Sequence, residues 1–134
     1  MNEPAMETLD EHQCERLLGS KDIGRIAFSL DGVPEIFPVN YATDRLTVVF
    51  RTADGTLLQQ ATMLRVAFEV DDWDPATGIG WSVVVKGVLE RISGGIDPFA
   101  RALRSREVVP LAPGARECRL AIYPSEVTGR RFRR

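Results

Sequence analysis

The sequence has little of the chemistry from which hydrolytic or metal-dependent active sites are usually built. It contains one histidine, His12, and two cysteines, Cys14 and Cys118, which are far apart and match no metal-ligand spacing. A Ser-His-Asp or Cys-His catalytic group would depend entirely on His12, close to the amino terminus. No Gly-Lys-Ser/Thr is present, which excludes a Walker phosphate loop. We therefore predict no metal, and we assign no catalytic residue.

The sequence also lacks an excess of one charge and any long apolar run. It has 17 basic and 19 acidic residues, whereas sequence-independent binding to nucleic acid needs a basic excess to displace counterions. No segment approaches the roughly 18 apolar residues of a membrane span. The amino-terminal MNEPAMETLDEHQ is acidic and has no signal-peptide pattern. We expect a cytoplasmic protein with no nucleic-acid or membrane partner. Reduced cysteines are the simpler interpretation, with a disulfide left open.

The residues that are present predict one small, mainly β domain. The chain has 134 residues, of which 44% are apolar, which is enough for a single core. We expect a flexible amino terminus over residues 1–6 and one domain over residues 7–134. Strands that bury one face favour antiparallel pairing, and a small barrel is the economical closure at this length.

Alternation of apolar and polar residues predicts about six strands. Pro34 and Pro38 place the second strand at a sheet edge or at a bulge, since proline cannot donate a ladder hydrogen bond. After Pro124 we expect a tail ending in GRRFRR. The predicted strands cover residues 24–30, 33–41, 46–52, 65–71, 80–92 and 117–123, the predicted helices cover 7–19, 56–61 and 97–104, and a loop is expected over 108–115.

The segment FRTADGT offers groups that suit a phosphate. Arg51 and Thr52 end a predicted strand, Gly55 permits a tight turn, and Thr56 opens a predicted helix. Guanidinium, hydroxyl and helix N-terminal N–H groups all bind phosphate oxygens. The alternative is an ordinary strand-to-helix turn capped by Asp54 or Thr56, and on residue types alone it is favoured.

Two further segments carry polar groups at strand positions. Asn40 and Tyr41 close the proline-containing strand, where they offer hydrogen bonds and a stacking ring for a heteroaromatic ligand. The alternative is that Tyr41 packs in the core and Asn40 caps a turn. In GWSVVVKG, Trp81 lies on one face of the predicted strand, and Ser82 and Lys86 lie on the other. One face is therefore aromatic, and the other offers a hydroxyl and an ammonium group. The alternative is a half-buried strand without a ligand.

An acidic cluster follows the fourth predicted strand. It comprises Glu69, Asp71, Asp72 and Asp74, with no histidine nearby. Magnesium and calcium sites usually take their oxygens from a loop with closer spacing. We interpret the cluster as a solvated strand end.

The set and order of these segments resemble a known family. GRIAF, PEIFPVNY, VVFRTADGT, AFEVDDWDPATGIGWSVVVKG and VTGRRF are similar to segments of the pyridoxamine 5′-phosphate oxidase-like family, the FMN-binding split barrels. The chain most resembles the small actinobacterial branch that includes nitroimidazole-reductase-like proteins. The resemblance runs from about Leu9 to Phe132. No single motif accounts for the resemblance, so the resemblance predicts the fold better than it predicts the reaction.

The resemblance implies a six-stranded antiparallel split barrel that forms a homodimer, with FMN in a groove at the subunit interface. It implies an oxidoreductase, most simply a reductase, acting on a small-molecule substrate. The phosphate contacts are expected from Arg51, Thr52, Gly55 and Thr56. The isoalloxazine contacts are expected from Val39, Asn40 and Tyr41, with Trp81 and Ser82 supplied by the partner.

One position departs from the family pattern. Relatives commonly carry a lysine after the Gly-Ser/Thr pair, but this chain has Leu57. Arg51, or Lys86 from across the dimer, is expected to compensate; otherwise FMN is held weakly. The alternatives are a deazaflavin cofactor, FAD or haem, and a non-catalytic flavin-binding or sensor module in place of an enzyme. A dimeric interaction domain without cofactor is the third reading.

Overall fold

The chain forms a mainly β structure, as the alternation predicts. The computed structural model describes residues 5–53, 56–92 and 117–134. In this part of the chain there are eight strands and two short helices. The strands are β1 Ala5–Thr8, β2 Ile23–Leu30, β3 Val33–Asn40, β4 Ala42–Asp44, β5 Thr47–Ala53, β6 Arg65–Asp74, β7 Ile79–Arg91 and β8 Glu117–Arg133, and the helices are α1 Glu11–Leu18 and α2 Leu57–Gln60.

All strand pairings are antiparallel and belong to one curled sheet. The strand order is β3-β2-β6-β7-β8-β5-β4, with β1 paired to β8 outside this path. The two ends of the order, β3 and β4, are consecutive in the chain and are joined by Tyr41 alone. The sheet therefore curls into a half-barrel whose two edges are one residue apart in sequence, which confirms the predicted antiparallel barrel architecture.

The alternating patterns of the strands build the core. In β2, Ile26 and Phe28 are buried while Arg25 and Ser29 are exposed, as predicted. Tyr41 fills the point where the two edges approach. Its ring meets Phe68 edge-on, with centroids 4.7 Å apart. Burial of such aromatic and branched side chains is the main favourable term in folding a domain of this size.

The prolines of β3 act as predicted. Among the described strands, β3 pairs only with β2 and is the terminal strand of the order, so Pro34 and Pro38 lie in an edge strand. The predicted 33–41 strand, however, divides at Tyr41 into β3 and β4. The division occurs because the chain passes there from one edge of the sheet to the other.

The predicted tail after Pro124 is wrong. β8 continues through Arg133, and its residues 120–133 pair with β7. The strand passes the proline by a β-bulge: Lys86 faces Glu126 while Gly87 faces Pro124, so one extra residue, Ser125, is accommodated in β8. The hydroxyl of Ser125 donates to the Lys86 carbonyl oxygen at 3.1 Å.

The amino-terminal segment contributes a strand to the sheet. Ala5 and Met6 belong to β1, which pairs with the end of β8. The flexible terminus over residues 1–6 stays a prediction. α1 follows, and Asp10 is its N-cap in a capping box with Gln13, while Gly19 is its C-cap.

Three predictions lie outside the described residues: the turn at Gly55, the helix over 97–104 and the loop over 108–115. Neither α1 nor α2, the helices of the described ranges, is long and apolar enough to cross a membrane.

Candidate functional site

The end of β5 brings two hydroxyl groups together, as the sequence predicts for this segment. The Oγ1 atoms of Thr52 and Thr56 are 3.0 Å apart. Thr56 is the N-cap of α2, and its Oγ1 accepts from the backbone N–H of Gln59 at 3.2 Å. Thr52 is only 2% exposed. The pair is therefore a fixed polar feature at the junction of strand and helix.

This pair has one hydroxyl hydrogen to spare. Either threonine can donate to the other, and in both arrangements the second hydroxyl keeps its hydrogen. Among the described residues, no hydrogen bond uses it. A hydroxyl hydrogen at the mouth of a strand-to-helix turn is a suitable donor to an anionic oxygen.

Arg51 precedes this pair on β5 and lies directly opposite Arg119 of β8. It is half-buried. Its stem therefore packs in the protein while it brings positive charge to the sheet edge that carries Thr52.

The helix itself adds less than the sequence suggests. α2 has four residues, so few peptide dipoles sum along it, and the threonine hydroxyls rather than a macrodipole are its candidate anion-binding groups. Leu58 is buried and Leu57 packs, partly buried, against the same core cluster. Leu57 thus has a packing role at the position where the family resemblance implies a lysine.

The segment Val39-Asn40-Tyr41 has the structural role that the sequence left open as an alternative. Tyr41 is fully buried, and its hydroxyl donates to the Leu18 carbonyl oxygen. The Asn40 amide donates to the Asp22 carbonyl oxygen at 3.2 Å. Val39 is 2% exposed. In this arrangement the Tyr41 ring is out of reach of a surface ligand, and contact of this segment with a cofactor stays a prediction.

The third predicted segment lies on β7. Trp81 packs, partly buried, against the core, while Ser82 is half-buried and Lys86 is exposed. Ser82 lies opposite Arg130 of β8, whereas Thr52 lies opposite Cys118. Cys118 and Arg130 are 12 positions apart in β8, a separation that corresponds to about 40 Å along an extended strand. The structure therefore places the two halves of the predicted site near opposite ends of β8.

A broad groove of about 880 Å³ opens beside Ser82, and we call it the Trp73 groove. The sequence analysis does not predict it, because the predicted tail contains Phe132 and the fourth predicted strand ends before Trp73. Once β8 is seen to continue, the pairing of Phe132 with Gly80 and of Gly80 with Trp73 brings the two aromatic rings together. Its lining residues include Met6, Glu69, Asp71, Trp73, Ser82 and Phe132.

The acidic cluster at the end of β6 is held by two cations. Lys21 Nζ lies 2.6 Å from Asp72 Oδ2 and, by its hydrogen bond, lowers the pKa of that carboxyl. Arg25 Nη1 lies 3.4 Å from Glu69 Oε1 and 3.6 Å from Asp71 Oδ2. In the described ranges, no group of three His, Cys, Asp or Glu side chains has the geometry of a metal site.

Glu69 has an unusual titration. Burial raises the pKa of Glu69 from 4.5 to about 7; a hydrogen bond and charge repulsion from Asp71 add to the rise, and Arg25 opposes it. The folded state therefore binds this proton more tightly than the unfolded state does. The stabilisation is complete below pH 4.5 and is lost as the pH rises through about 7.

We expect a Glu69→Gln variant to lose this pH dependence. The free energy of unfolding of the wild type should decrease between about pH 5 and about pH 7.5, and the part of this decrease that comes from Glu69 should be absent from the variant. Urea unfolding of both proteins at the two pH values measures it. A variant whose unfolding free energy changes with pH as much as that of the wild type would contradict the assignment.

The remaining nucleophile candidate does not form a site. His12 is exposed on α1, whereas Cys14 is buried. Burial, followed by the charges of Asp10 and Glu11, raises the pKa of the Cys14 thiol, which keeps it protonated and unreactive. Neither Cys14 nor Cys118 forms a disulfide.

Comparison with known proteins identifies the family. The family model for pyridoxamine 5′-phosphate oxidase matches residues 10–131. An FAD-binding protein from Mycobacterium smegmatis is 38% identical, with 96% of this chain and 99% of that chain covered and a TM-score of 0.82. An uncharacterised protein of Mycobacterium tuberculosis, Rv0080, is 36% identical over 92% of this chain and 84% of its own length.

A third relative is a putative pyridoxamine 5′-phosphate oxidase from Corynebacterium glutamicum. It is 30% identical and has a TM-score of 0.76, with 99% of this chain and 97% of that chain covered. The near-complete coverage in both directions confirms the split-barrel fold and the actinobacterial resemblance seen in the sequence. The chain therefore belongs to the pyridoxamine 5′-phosphate oxidase family.

Proposed function

We propose that this protein binds a flavin, as FAD, and acts as a flavin-dependent oxidoreductase of the reductase type. The observation that carries the proposal is the 38% identity, over 96% of this chain, to a protein described as FAD-binding. When bound, the flavin ring supplies the hydride or electron transfer, so the protein needs no acid, base or nucleophile of its own for that step.

The residues at the end of β5 suit the phosphate of such a cofactor. Arg51 supplies positive charge, and the Thr52–Thr56 pair supplies one spare hydroxyl hydrogen. Thr52 is fixed by burial and by its bond to Thr56, so the donor is positioned before the ligand arrives. The proposal also keeps Gly55 as one of the residues that contact the phosphate.

Leu57 favours FAD over the FMN expected from the family resemblance. A leucine that packs against the core offers no charge to a phosphate, and a missing charge-assisted hydrogen bond costs about 1.5–3 kcal/mol. FMN has only one phosphate through which to recover this loss. FAD adds a second phosphate and an adenosine, and the extra contact area compensates for the absent cation.

A homodimer completes the site in this proposal. Trp81 and Ser82 of β7 pair with Arg131 and Arg130, near the opposite end of β8 from Cys118, the partner of Thr52. In this proposal they and Lys86 therefore contact a flavin whose phosphate is bound by the other chain. A partner chain brings its own copies of these residues to the phosphate half. Exposed Ile23, Ile36 and other apolar side chains on β2 and β3 give the chain a surface to bury. Sedimentation equilibrium should give twice the chain mass of 14.9 kDa.

A titration of the apo-protein tests the cofactor. We expect FAD to bind at least about tenfold more tightly than FMN. A Leu57→Lys substitution should tighten FMN by about ten- to a hundredfold, because it restores one charged phosphate contact. Flavin fluorescence follows both titrations, with the deazaflavin cofactor as a third ligand.

Leu57→Met is the matched control, since methionine has the length of lysine without its charge and packs as leucine does. It should leave FMN affinity unchanged. Equal affinity of wild type and Leu57→Lys for FMN would show that residue 57 does not face the phosphate. Preference for the deazaflavin would replace FAD in the proposal, and failure of all three ligands to bind would overturn it. Reduction of bound FAD by NAD(P)H separates an enzyme from a binding module.

A further inference from the structure

The floor of the Trp73 groove is an aromatic platform supported by a glycine. Trp73 stacks on Phe132 with ring centroids 5.8 Å apart and planes 14° from parallel. Gly80 lies opposite both residues in the sheet register. A Cβ on Gly80 would lie 2.5 Å from the Phe132 ring and 2.8 Å from the Trp73 ring, so only glycine lets both rings lie against the strand.

The platform is partly open to solvent. Trp73 remains 39% exposed, and Met6, 68% exposed, lies opposite Phe132 and extends the apolar floor. The groove volume of about 880 Å³ is in the range of small-molecule sites. An exposed indole beside a thioether is a surface on which a flat ring of similar size stacks.

The carboxylates in the wall of the groove are compensated and do not select a ligand by its charge. Lys21 pairs with Asp72. Arg25 pairs with both Glu69 and Asp71. Burial, followed by a hydrogen bond with Asp71, raises the pKa of Glu69 to about 7, so this carboxyl is partly protonated near neutral pH. An uncharged ring therefore suits the wall, whose carboxyl oxygens accept hydrogen bonds.

The end of the chain adds positive charge to the same groove. Arg133 and Arg134 line it, and the ion pairs among the described residues include neither of them. The backbone N–H of Arg134 donates to the Gly78 carbonyl oxygen at 2.9 Å, and the Gly78 N–H donates to the Asp74 carbonyl oxygen at 2.8 Å. The main chain therefore holds Arg134 beside the platform, where a guanidinium suits a phosphate.

We propose that the Trp73 groove binds the adenine ring of an adenine nucleotide. The ring stacks on Trp73, its exocyclic amino group donates to the carboxyl oxygens of the wall, and the phosphate lies toward Arg134. Adenine is bicyclic like indole and is uncharged near neutral pH. It therefore matches the platform and the compensated wall.

The proposed function supplies one source of this ring, FAD, and the assignment to FAD rests on that function. Ser82 lines the groove and belongs to the segment expected to contact a flavin whose phosphate is bound by the other chain. The adenosine is the part of FAD that FMN lacks, so a subsite for it favours FAD over FMN. A free adenine nucleotide is the other source.

Flavin titrations of Trp73 variants test the assignment to FAD. Trp73→Ala should weaken FAD about tenfold or more and leave FMN affinity unchanged, because FMN has no adenine. Trp73→Phe keeps a stacking ring and should retain most of the FAD affinity. Tyr123→Ala is the matched control, since Tyr123 is an aromatic residue of similar exposure, 40%, that does not line the groove. It should change neither affinity.

Indole NMR signals of the apo-protein test the adenine site without a flavin. The chain has two tryptophans, so a ¹⁵N-labelled sample gives two indole N–H signals, and Trp73→Phe assigns the Trp73 signal by its loss. AMP should shift this signal, whereas ribose 5-phosphate, which has no ring, should not. Arg134→Gln should weaken AMP about threefold and leave adenosine unchanged.

The outcomes distinguish the adenine site from the proposed function. If Trp73→Ala weakens FMN as much as FAD, the flavin ring rather than adenine contacts Trp73, and the proposal is overturned. Unchanged FAD affinity together with no AMP shift also overturns it. An AMP shift with unchanged FAD affinity supports the adenine site and assigns it to a free nucleotide. An AMP shift in a chain that binds no flavin refutes the proposed function alone.

Discussion

A Gly87→Ala substitution should destabilise the protein by about 3 kcal/mol and lower its Tm by about 10 °C. Gly87 is buried in β7, opposite Pro124 at the bulge of β8. A Cβ at this position would lie far inside van der Waals contact with the Tyr123 carbonyl oxygen. That oxygen is main chain in the longest strand pairing of the molecule, so it cannot move aside as a side chain would. Thermal and urea unfolding of the two proteins measure the loss.

Gly19→Ala is the matched control for this experiment. Gly19 has φ −78°, and a Cβ there would lie 3.5 Å from Thr43 Oγ1, an ordinary contact. Because alanine reduces the freedom of the unfolded chain, this variant should be neutral or more stable by up to about 1 kcal/mol. If Gly87→Ala unfolds at the wild-type temperature, the close approach of β7 and β8 at the bulge is wrong.

An Arg51→Ala substitution should weaken FAD binding by about ten- to a hundredfold. This is the range for the loss of one charge-assisted hydrogen bond to a phosphate, about 1.5–3 kcal/mol. Because Arg51 is half-buried, its stem packs in the protein, and we expect a small decrease in the Tm of the apo-protein as well. Flavin titration and apo-protein melting are therefore measured together.

Two variants control for this effect. Arg65→Ala removes an exposed arginine at the start of β6 and should leave FAD affinity unchanged. Arg51→Lys keeps the charge and loses the forked geometry, so its affinity should lie between those of wild type and alanine. Wild-type FAD affinity in a folded Arg51→Ala protein would remove Arg51 from the proposed phosphate site.

Most of the fold follows from local patterns in the sequence. The alternation in β2 and the prolines of β3 each give the correct element. The errors occur where a distant partner overrides a local rule. Pro124 is typical of a strand end, but β7 continues beside it, and a bulge lets β8 keep pairing. β1 has no alternating pattern and exists only because β8 extends far enough to meet it.

The candidate site is predictable to a smaller extent. The meeting of Thr52 with Thr56 follows from a four-residue spacing across one turn. The burial of Tyr41 does not, because it depends on the two sheet edges closing around that residue. The stack of Trp73 on Phe132 joins residues 59 positions apart and needs the register of three strands. No local pattern contains that register.

The pairing of β8 has a consequence for synthesis of the protein. β8 is bordered by β1, β5 and β7, which lie earlier in the chain, so these three strands lack a neighbour until residues 117–133 have been made. Contacts that span most of the chain slow folding, since the loop must close before they form. We therefore expect the nascent chain to remain incompletely folded until β8 leaves the ribosome. During that interval its exposed strand edges are open to aggregation and are candidates for chaperone binding.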